Sequence, residues 1–171
     1  MNFSHYEIYR GNIHADTIFI PSLTLPDEFP ITTPFTFPII DKQVVLAKDK
    51  MNWWNPLGGH IEKSESWQMA LKREALEEAG VVIKGIQIVG YVKAHKIKSH
   101  SENHYPDISL LPFTISKVEQ VVDNWCLRET KDRVITSFEN ALSLLKQRDD
   151  NFQMYEIFSY ILQEILHYEI G

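Results

Sequence analysis

Apolar and polar residues alternate along several segments of the chain, a pattern typical of half-buried β-strands. Residues 5–21 are rich in β-branched and aromatic side chains and are interrupted near Gly11 and Asn12, which predicts two short strands. Proline recurs from residue 21 to residue 38, which indicates a loop or an edge connection because proline cannot donate to a sheet ladder. Further strands are predicted at Phe35–Ile40, 43–47, 81–94, 108–118 and 133–135, and loops at 53–59 and 95–107.

The residues that follow the predicted loop at 53–59 have a helical period. Residues 65–79 place Trp67, Leu71 and Ala75 on one stripe, as in a helix that packs one face against a core. We expect Ser64 to cap the first turn and Gly80 to end the helix in the left-handed conformation. The sequence therefore predicts one well-delimited helix in the middle of the chain.

Two more helices are predicted near the end, within about residues 137–168. Thr136 and Glu139 form a capping-box pattern that opens the first of them, and the second covers residues 152–168. The apolar side chains of this last helix are expected to pack in the core, with a homodimer contact as the alternative. Strands flanked by three helices indicate an α+β or layered α/β domain, and 171 residues suit a single domain spanning 1–171.

Composition narrows the classes of protein and partner. Hydrophobic residues make up 44% and charged residues 23% of the chain, as in globular proteins. Cys126 is the only cysteine, so an internal disulfide and a cysteine-rich metal site are both excluded, which fits a reducing compartment. With neither a signal-peptide pattern nor an apolar run long enough for a membrane span, we expect a cytoplasmic protein with no membrane contact. A net charge of −6 without a basic stripe argues against a long nucleic acid as the partner.

Three glutamates on the central helix are candidates for chemistry. Glu74, Glu77 and Glu78 fall within an arc of about 100° at the helical increment of about 100° per residue. Carboxylates at this spacing repel one another and weaken the helix, whereas a divalent cation would reverse that effect. In isolation, Glu77 and Glu78 would more often belong to a solvated face paired with Lys72 or Arg73.

The wider spacing favours the functional interpretation. From Gly59 to Val81 the chain follows G-x5-E-x7-R-E-U-x-E-E-x-G-U, where U is an aliphatic residue. A chance match to the fixed positions is rarer than about one in a million at average composition. This segment resembles the signature of the Nudix (MutT-like) hydrolases, and the only soft departure is Ala75, where a larger aliphatic residue is common.

The resemblance implies a fold, an activity and a set of site residues. Nudix proteins place a mixed β-sheet between helices, an α+β fold layered as an α/β/α sandwich, and hydrolyse nucleoside diphosphate derivatives with Mg²⁺, for which Mn²⁺ is a substitute. By position, the resemblance implies that the metal ligands are Glu74, Glu77 and Glu78, that Arg73 and Glu65 support the site, and that Gly58 and Gly59 approach metal or substrate.

Two further roles and two alternatives remain open. Glu74 is the first candidate for the general base and Glu129 the second. Glu119, like Glu129, lies before the last predicted strand–helix unit and could also serve. Trp54 could stack on a nucleobase, although core packing is the more usual role for such a residue. The alternatives are a Nudix-fold sensor that binds nucleotides without turnover and, with less support, an isoprenoid diphosphate isomerase, because Cys126 lies far after the box in the sequence.

Overall fold

The computed structural model describes residues 3–10, 13–99, 106–126, 130–148 and 152–169. Strands and helices follow one another in the order that the sequence pattern predicts. The strands are β1 His5–Arg10, β2 Ile13–Pro21, β3 Phe35–Ile40, β4 Gln43–Lys48, β5 Trp54–Asn55, β6 Leu57–Gly58, β7 Val81–Ser99, β8 Ile108–Val121 and β9 Asp132–Ser137. The helices are α1 Trp67–Ala79, α2 Phe138–Leu145 and α3 Gln153–Tyr160, and α3 continues into a π-helical turn, Ile161–Ile165.

The described strands form one mixed sheet. Its order is β1-β2-β7-β8-β3-β4-β5, with β6 paired to β3 and β9 paired to β4. Strands β3 and β8 run parallel, and Phe35 lies opposite Phe113, whereas the other pairs are antiparallel. The parallel pair places the end of the proline-rich segment next to the centre of the sheet. The same strand, β3, also pairs with β6, where Phe35 lies opposite Gly58, so the loop before α1 begins beside the centre of the sheet.

Strand β4 shows how helices cover both faces of the sheet. Val44 and Leu46 belong to a core cluster with residues of α2 and α3, whereas Val45 and Ala47 belong to a second cluster with residues of α1. All four side chains are buried. Because successive strand side chains point to opposite faces, this division means that α1 lies on one face and the C-terminal helices on the other. The predicted α+β sandwich is confirmed.

The start of α1 differs from the prediction. Ser66, not Ser64, is the N-cap, and its hydroxyl accepts a hydrogen bond from the backbone N–H of Met69. Ser64 instead adopts a left-handed conformation with φ 68°. Glu65 consequently lies in the preceding loop. Its carboxylate binds the side chain of Arg73 and does not interact with the helix dipole as a residue of the first turn would. The predicted end is confirmed, because Gly80 is left-handed at φ 59°.

Other boundaries differ where tertiary pairing overrides local pattern. Strand β7 continues to Ser99, through part of the predicted 95–107 loop, because β2 pairs with it along that length. The predicted loop at 53–59 contains the short strands β5 and β6. The second C-terminal helix begins at Gln153, not Phe152, and its α-helical part ends at Tyr160. These corrections leave the predicted order of elements intact.

The C-terminal helix uses its apolar side chains in the core. Phe158, Ile161 and Leu162 have no exposed surface, and the Phe158 ring stacks on Phe37 with centroids 4.7 Å apart. This packing accounts for most of the apolar character noted in the sequence, and a homodimer contact stays a prediction. No helix in the described part of the chain is long and apolar enough to cross a membrane.

Candidate metal centre

Arg73 organises the loop that precedes α1. Its Nε donates to Oε1 of Glu65 and its Nη2 donates to Oε2, each at 3.0 Å. The same Nη2 also donates to the backbone carbonyl of His60 at 3.0 Å. These bonds hold the pKa of Glu65 below its usual value and raise that of Arg73, so the pair stays ionised. Arg73 thus contacts Glu65, the other residue to which the resemblance assigns a supporting role.

The remaining donor of the guanidinium faces two of the predicted metal ligands. Nη1 of Arg73 donates to Oε1 of Glu74 at 2.8 Å and to Oε2 of Glu77 at 3.1 Å. Glu74 is only 6% exposed, whereas Glu77 is half-buried. A carboxylate as buried as that of Glu74 needs a compensating cation nearby. The structure therefore brings Glu74 and Glu77 to one point beside a positive charge.

The two glycines of the loop lie against Glu78 and Glu74. The backbone N–H of Gly58 donates to Oε2 of Glu78 at 2.9 Å. A Cβ atom added at Gly59 would overlap the carboxylate of Glu74. The sequence predicts a close backbone approach at these glycines, and the structure shows that the approach is made to the glutamates. A side chain at residue 59 would therefore have to displace the carboxylate of Glu74.

The donor set fits a hard divalent cation. Carboxylate oxygens are the ligands that Mg²⁺ prefers, usually one or two per ion. Within the described residues, no three His, Cys, Asp or Glu side chains already converge on a common point as a metal requires. The hydrogen bonds explain this, because Arg73 and the Gly58 amide hold the three glutamates. A cation would therefore compete with Arg73 for Glu74 and Glu77.

The contacts found for the other predicted site residues are with side chains outside this centre, or the residue lies outside the described part of the chain. Trp54 is half-buried in β5 and packs against the larger core cluster, with Nζ of Lys48 5.4 Å from its ring centroid. Glu119 is exposed and pairs with Lys84 at 2.9 Å. Glu129 lies outside the described residues. The roles of Trp54 and Glu129 stay predictions.

A cavity of about 450 Å³ opens beside the same loop. His60, whose carbonyl binds Arg73, lines one part of it. Elsewhere its walls carry buried polar side chains among apolar ones, including Thr17 and Gln153. The sequence pattern did not indicate this cavity, because its walls come from strands and a helix that are distant along the chain.

Comparison with known proteins identifies the family. The sequence profile of the NUDIX domain matches residues 33–157, so the chain belongs to the Nudix family. The class predicted from the box, a Nudix hydrolase, is thereby confirmed. This match extends well beyond the box itself, from the residues before β3 to α3.

Relatives and solved structures agree with this assignment. An 8-oxo-dGTP diphosphatase of Buchnera aphidicola subsp. Acyrthosiphon pisum (strain APS) is 38% identical over 50 residues, which cover 29% of this chain and 40% of that relative's length. A Bacillus subtilis pyrophosphohydrolase has a TM-score of 0.61 at 16% identity and covers 95% of this chain and 90% of its own. A NUDIX hydrolase from Nitrosomonas europaea has a TM-score of 0.60 at 17% identity and covers 83% and 97%. At these identities the structures support the fold alone.

Proposed function

We propose that the protein is a Mg²⁺-dependent hydrolase that cleaves the diphosphate linkage of a nucleoside diphosphate derivative. The observation that carries the proposal is the gathering of Glu74, Glu77 and Glu78 around Arg73 and the Gly58–Gly59 backbone. Carboxylates collected at one end of a helix suit a divalent cation that also binds phosphate oxygens. Mn²⁺ is expected to substitute for Mg²⁺ because it prefers the same oxygen ligands.

The residues of the site divide the chemical work. A bound cation would neutralise phosphate charge and lower the pKa of water. Glu74 is our first candidate for the base that accepts a proton from the attacking water, and Glu129 is the second. Arg73 holds Oε1 of Glu74 at 2.8 Å and so restricts the orientation of that carboxylate. Glu65 in turn fixes Arg73, which makes it a positioning residue and not a group that touches the substrate.

The cavity supplies a place for the nucleoside. Thr17 donates its hydroxyl hydrogen to the carbonyl of Tyr6 at 2.9 Å, so it must accept from Nε2 of Gln153, at 3.2 Å. This relay fixes which end of the Gln153 amide donates and which accepts. Because Gln153 is only 3% exposed and lines the cavity, we propose that its amide contacts the edge of the base. Stacking of Trp54 on the base is retained as a weaker part of the proposal.

The setting we propose is cytoplasmic, with a small-molecule substrate. A single cysteine fits a reducing compartment, and a net charge of −6 disfavours a long nucleic acid. The likeness to an 8-oxo-dGTP diphosphatase makes 8-oxo-dGTP one of the first compounds to assay. It should be compared with dGTP, nucleoside diphosphates and nucleotide sugars.

The test is turnover of this panel with and without Mg²⁺, by wild type and by Glu74→Gln and Glu78→Gln. We expect Mg²⁺-dependent release of phosphate-containing products from at least one compound. Each variant should lose about 100-fold or more in turnover, because changes to residues that only orient metal ligands already cost about 10–100-fold. Glu164→Gln, the same exchange at an exposed position of the π-helical turn, should retain wild-type turnover. Wild-type rates in both site variants would refute the site. Tight binding of one compound without turnover of any would favour the sensor alternative.

A further inference from the structure

The charges at the C-terminal end of α1 are unfavourable for the helix. Glu77 and Glu78 lie in the last turn, where the helix dipole is negative, and that turn contains no basic residue. The last carbonyl groups of a helix also lack partners within it. A helix end with these two features is expected to fray, although here it carries two of the three proposed ligands.

Side chains from the connection between β8 and β9 and from the start of β9 satisfy these carbonyls in order. Nε1 of Trp125 donates to the carbonyl of Glu77 at 3.1 Å. Oγ1 of Thr130 donates to the carbonyl of Glu78 at 2.7 Å. Nη1 of Arg133 donates to the carbonyl of Ala79. We call Trp125, Thr130 and Arg133 the helix-end clamp.

The clamp is packed as one unit. The guanidinium of Arg133 lies over the Trp125 ring, with 4.8 Å between Cζ and the ring centroid. The ring also lies against Gly80, where an added Cβ atom would overlap it. Val122 completes the contact by donating its backbone N–H to the Gly80 carbonyl at 2.8 Å. Arg133, on β9, thus supplies the positive charge that the last turn of α1 lacks.

From these contacts we infer that the helix-end clamp positions Glu77 and Glu78 for the divalent cation. The inference rests on the proposed function, in which these glutamates are metal ligands. Each glutamate is fixed at two points: its carboxylate binds Arg73 or the Gly58 amide, and its own backbone carbonyl binds the clamp. When a cation takes the carboxylates from their present partners, the clamp is the anchor that remains. Ligands pre-oriented in this way bind metal more tightly than ligands on a frayed turn.

The test is Mn²⁺ affinity without substrate, measured from the electron paramagnetic resonance signal of free Mn²⁺. Trp125→Phe keeps an aromatic ring and removes the N–H donor, and Thr130→Val removes only the hydroxyl donor. We expect each to weaken Mn²⁺ binding by about 10-fold, as for other residues that orient metal ligands. Trp67→Phe is the matched control, because Trp67 lies in the first turn of the same helix and packs in the core cluster under it. It should bind Mn²⁺ as wild type does.

Variants at Arg133 separate the effect of its charge and hydrogen-bond donors from the effect of its size. Arg133→Met should weaken Mn²⁺ binding, and Arg133→Lys should recover much of the loss because it restores a positive donor at the helix end. Thermal melting identifies variants that fail to fold. Thr130→Val is the smallest change, and its result decides if Trp125→Phe unfolds.

Glu78→Gln keeps the two proposals distinguishable. If it weakens Mn²⁺ binding while Trp125→Phe, Thr130→Val and Arg133→Met all bind like Trp67→Phe, the clamp inference is overturned and the metal site stands. If Glu78→Gln binds Mn²⁺ as tightly as wild type, the proposed function fails and the clamp inference fails with it. Weaker binding in both Glu78→Gln and the clamp variants, with wild-type binding in Trp67→Phe, supports both.

Discussion

Arg73 binds Glu65 through two parallel hydrogen bonds of 3.0 Å, which join the middle of α1 to the loop that precedes it. The two residues are separated by a stretch that contains the N-cap Ser66, so the pair fixes the loop relative to the helix from outside the cap. The other arm of the guanidinium reaches Glu74 and Glu77. One side chain therefore sets the distance between the glycine loop and the proposed metal ligands.

Arg73→Lys should reduce kcat by about 10- to 100-fold, the usual cost of removing a residue that orients metal ligands. Lysine keeps the charge but cannot form the fork to Glu65 while also reaching two other carboxylates. The measurement is steady-state kinetics on the best compound of the panel, with thermal melting to verify folding. Lys72→Arg, at the exposed neighbouring position, should leave kcat unchanged. A wild-type kcat in Arg73→Lys would show that charge alone suffices.

The Glu65–Arg73 pair should also give an acid-sensitive contribution to stability. The hydrogen bond from Arg73 lowers the pKa of Glu65 below its usual value. A carboxylate with a lowered folded-state pKa stabilises the fold above the unfolded-state value and loses that contribution as the pH falls through the folded value. The melting temperature of wild type should therefore exceed that of Glu65→Gln most at neutral pH, and the gap should shrink below about pH 4.5. A gap that stayed constant from pH 7 to pH 3 would contradict this account.

Gly59→Ala should abolish most activity and leave the fold intact. The added methyl group would overlap the Glu74 carboxylate and push it out of the site. Displacement of a reacting group by about 1 Å can cost about 100-fold in rate. The informative control is Gly85→Ala, where nothing lies within 4 Å of the added Cβ and only the left-handed φ of 59° is strained. That control should lower stability by about 1 kcal/mol and leave kcat unchanged; the opposite pattern would show that Gly59 serves the turn and not the site.

Phe158→Ala should lower the free energy of unfolding by about 3–5 kcal/mol, the range for large aromatic truncations in a core. Phe158 is fully buried and contacts the rings of Phe37 and Phe138, so the cavity left behind has rigid walls. Urea denaturation measures the change. A loss below about 1 kcal/mol would mean that α3 is not part of the core, contrary to the two-faced packing of the sheet.

The contacts among the residues of the box could be anticipated from the sequence because they are local, whereas the roles of these residues come from the resemblance to the Nudix signature and stay predictions. Glu65, Arg73, Glu74, Glu77 and Glu78 all lie on one helix or the loop before it, so their spacing alone nearly determines which of them can meet. The cap was wrong because Ser64 and Ser66 are equally plausible in the sequence. The choice between them depends on the contact of Glu65 with Arg73, which draws Glu65 out of the helix.

What escaped prediction depends on distant segments. The clamp comes from the connection before β9 and from β9 itself, about 50 residues after the helix end that it covers, as the hydrogen bond from Trp125 to Glu77 shows. The cavity has its walls on β2, β7, β8 and α3, and the bond between Thr17 and Gln153 joins nearly opposite ends of the chain. Neither feature has a periodic or spacing signal, because each arises from the sheet order and not from any one element.

The most direct test of the proposed metal site is a crystal structure after soaking in Mn²⁺, which is located by its anomalous scattering. We expect an anomalous peak within coordination distance of at least two of the carboxylates of Glu74, Glu77 and Glu78, with Arg73 released from at least one of them. Mg²⁺ in place of Mn²⁺ should occupy the same position with oxygen ligands at about 2.0–2.1 Å. Crystals with no peak at these glutamates at saturating Mn²⁺, while Arg73 keeps both Glu74 and Glu77, would contradict the proposed metal site.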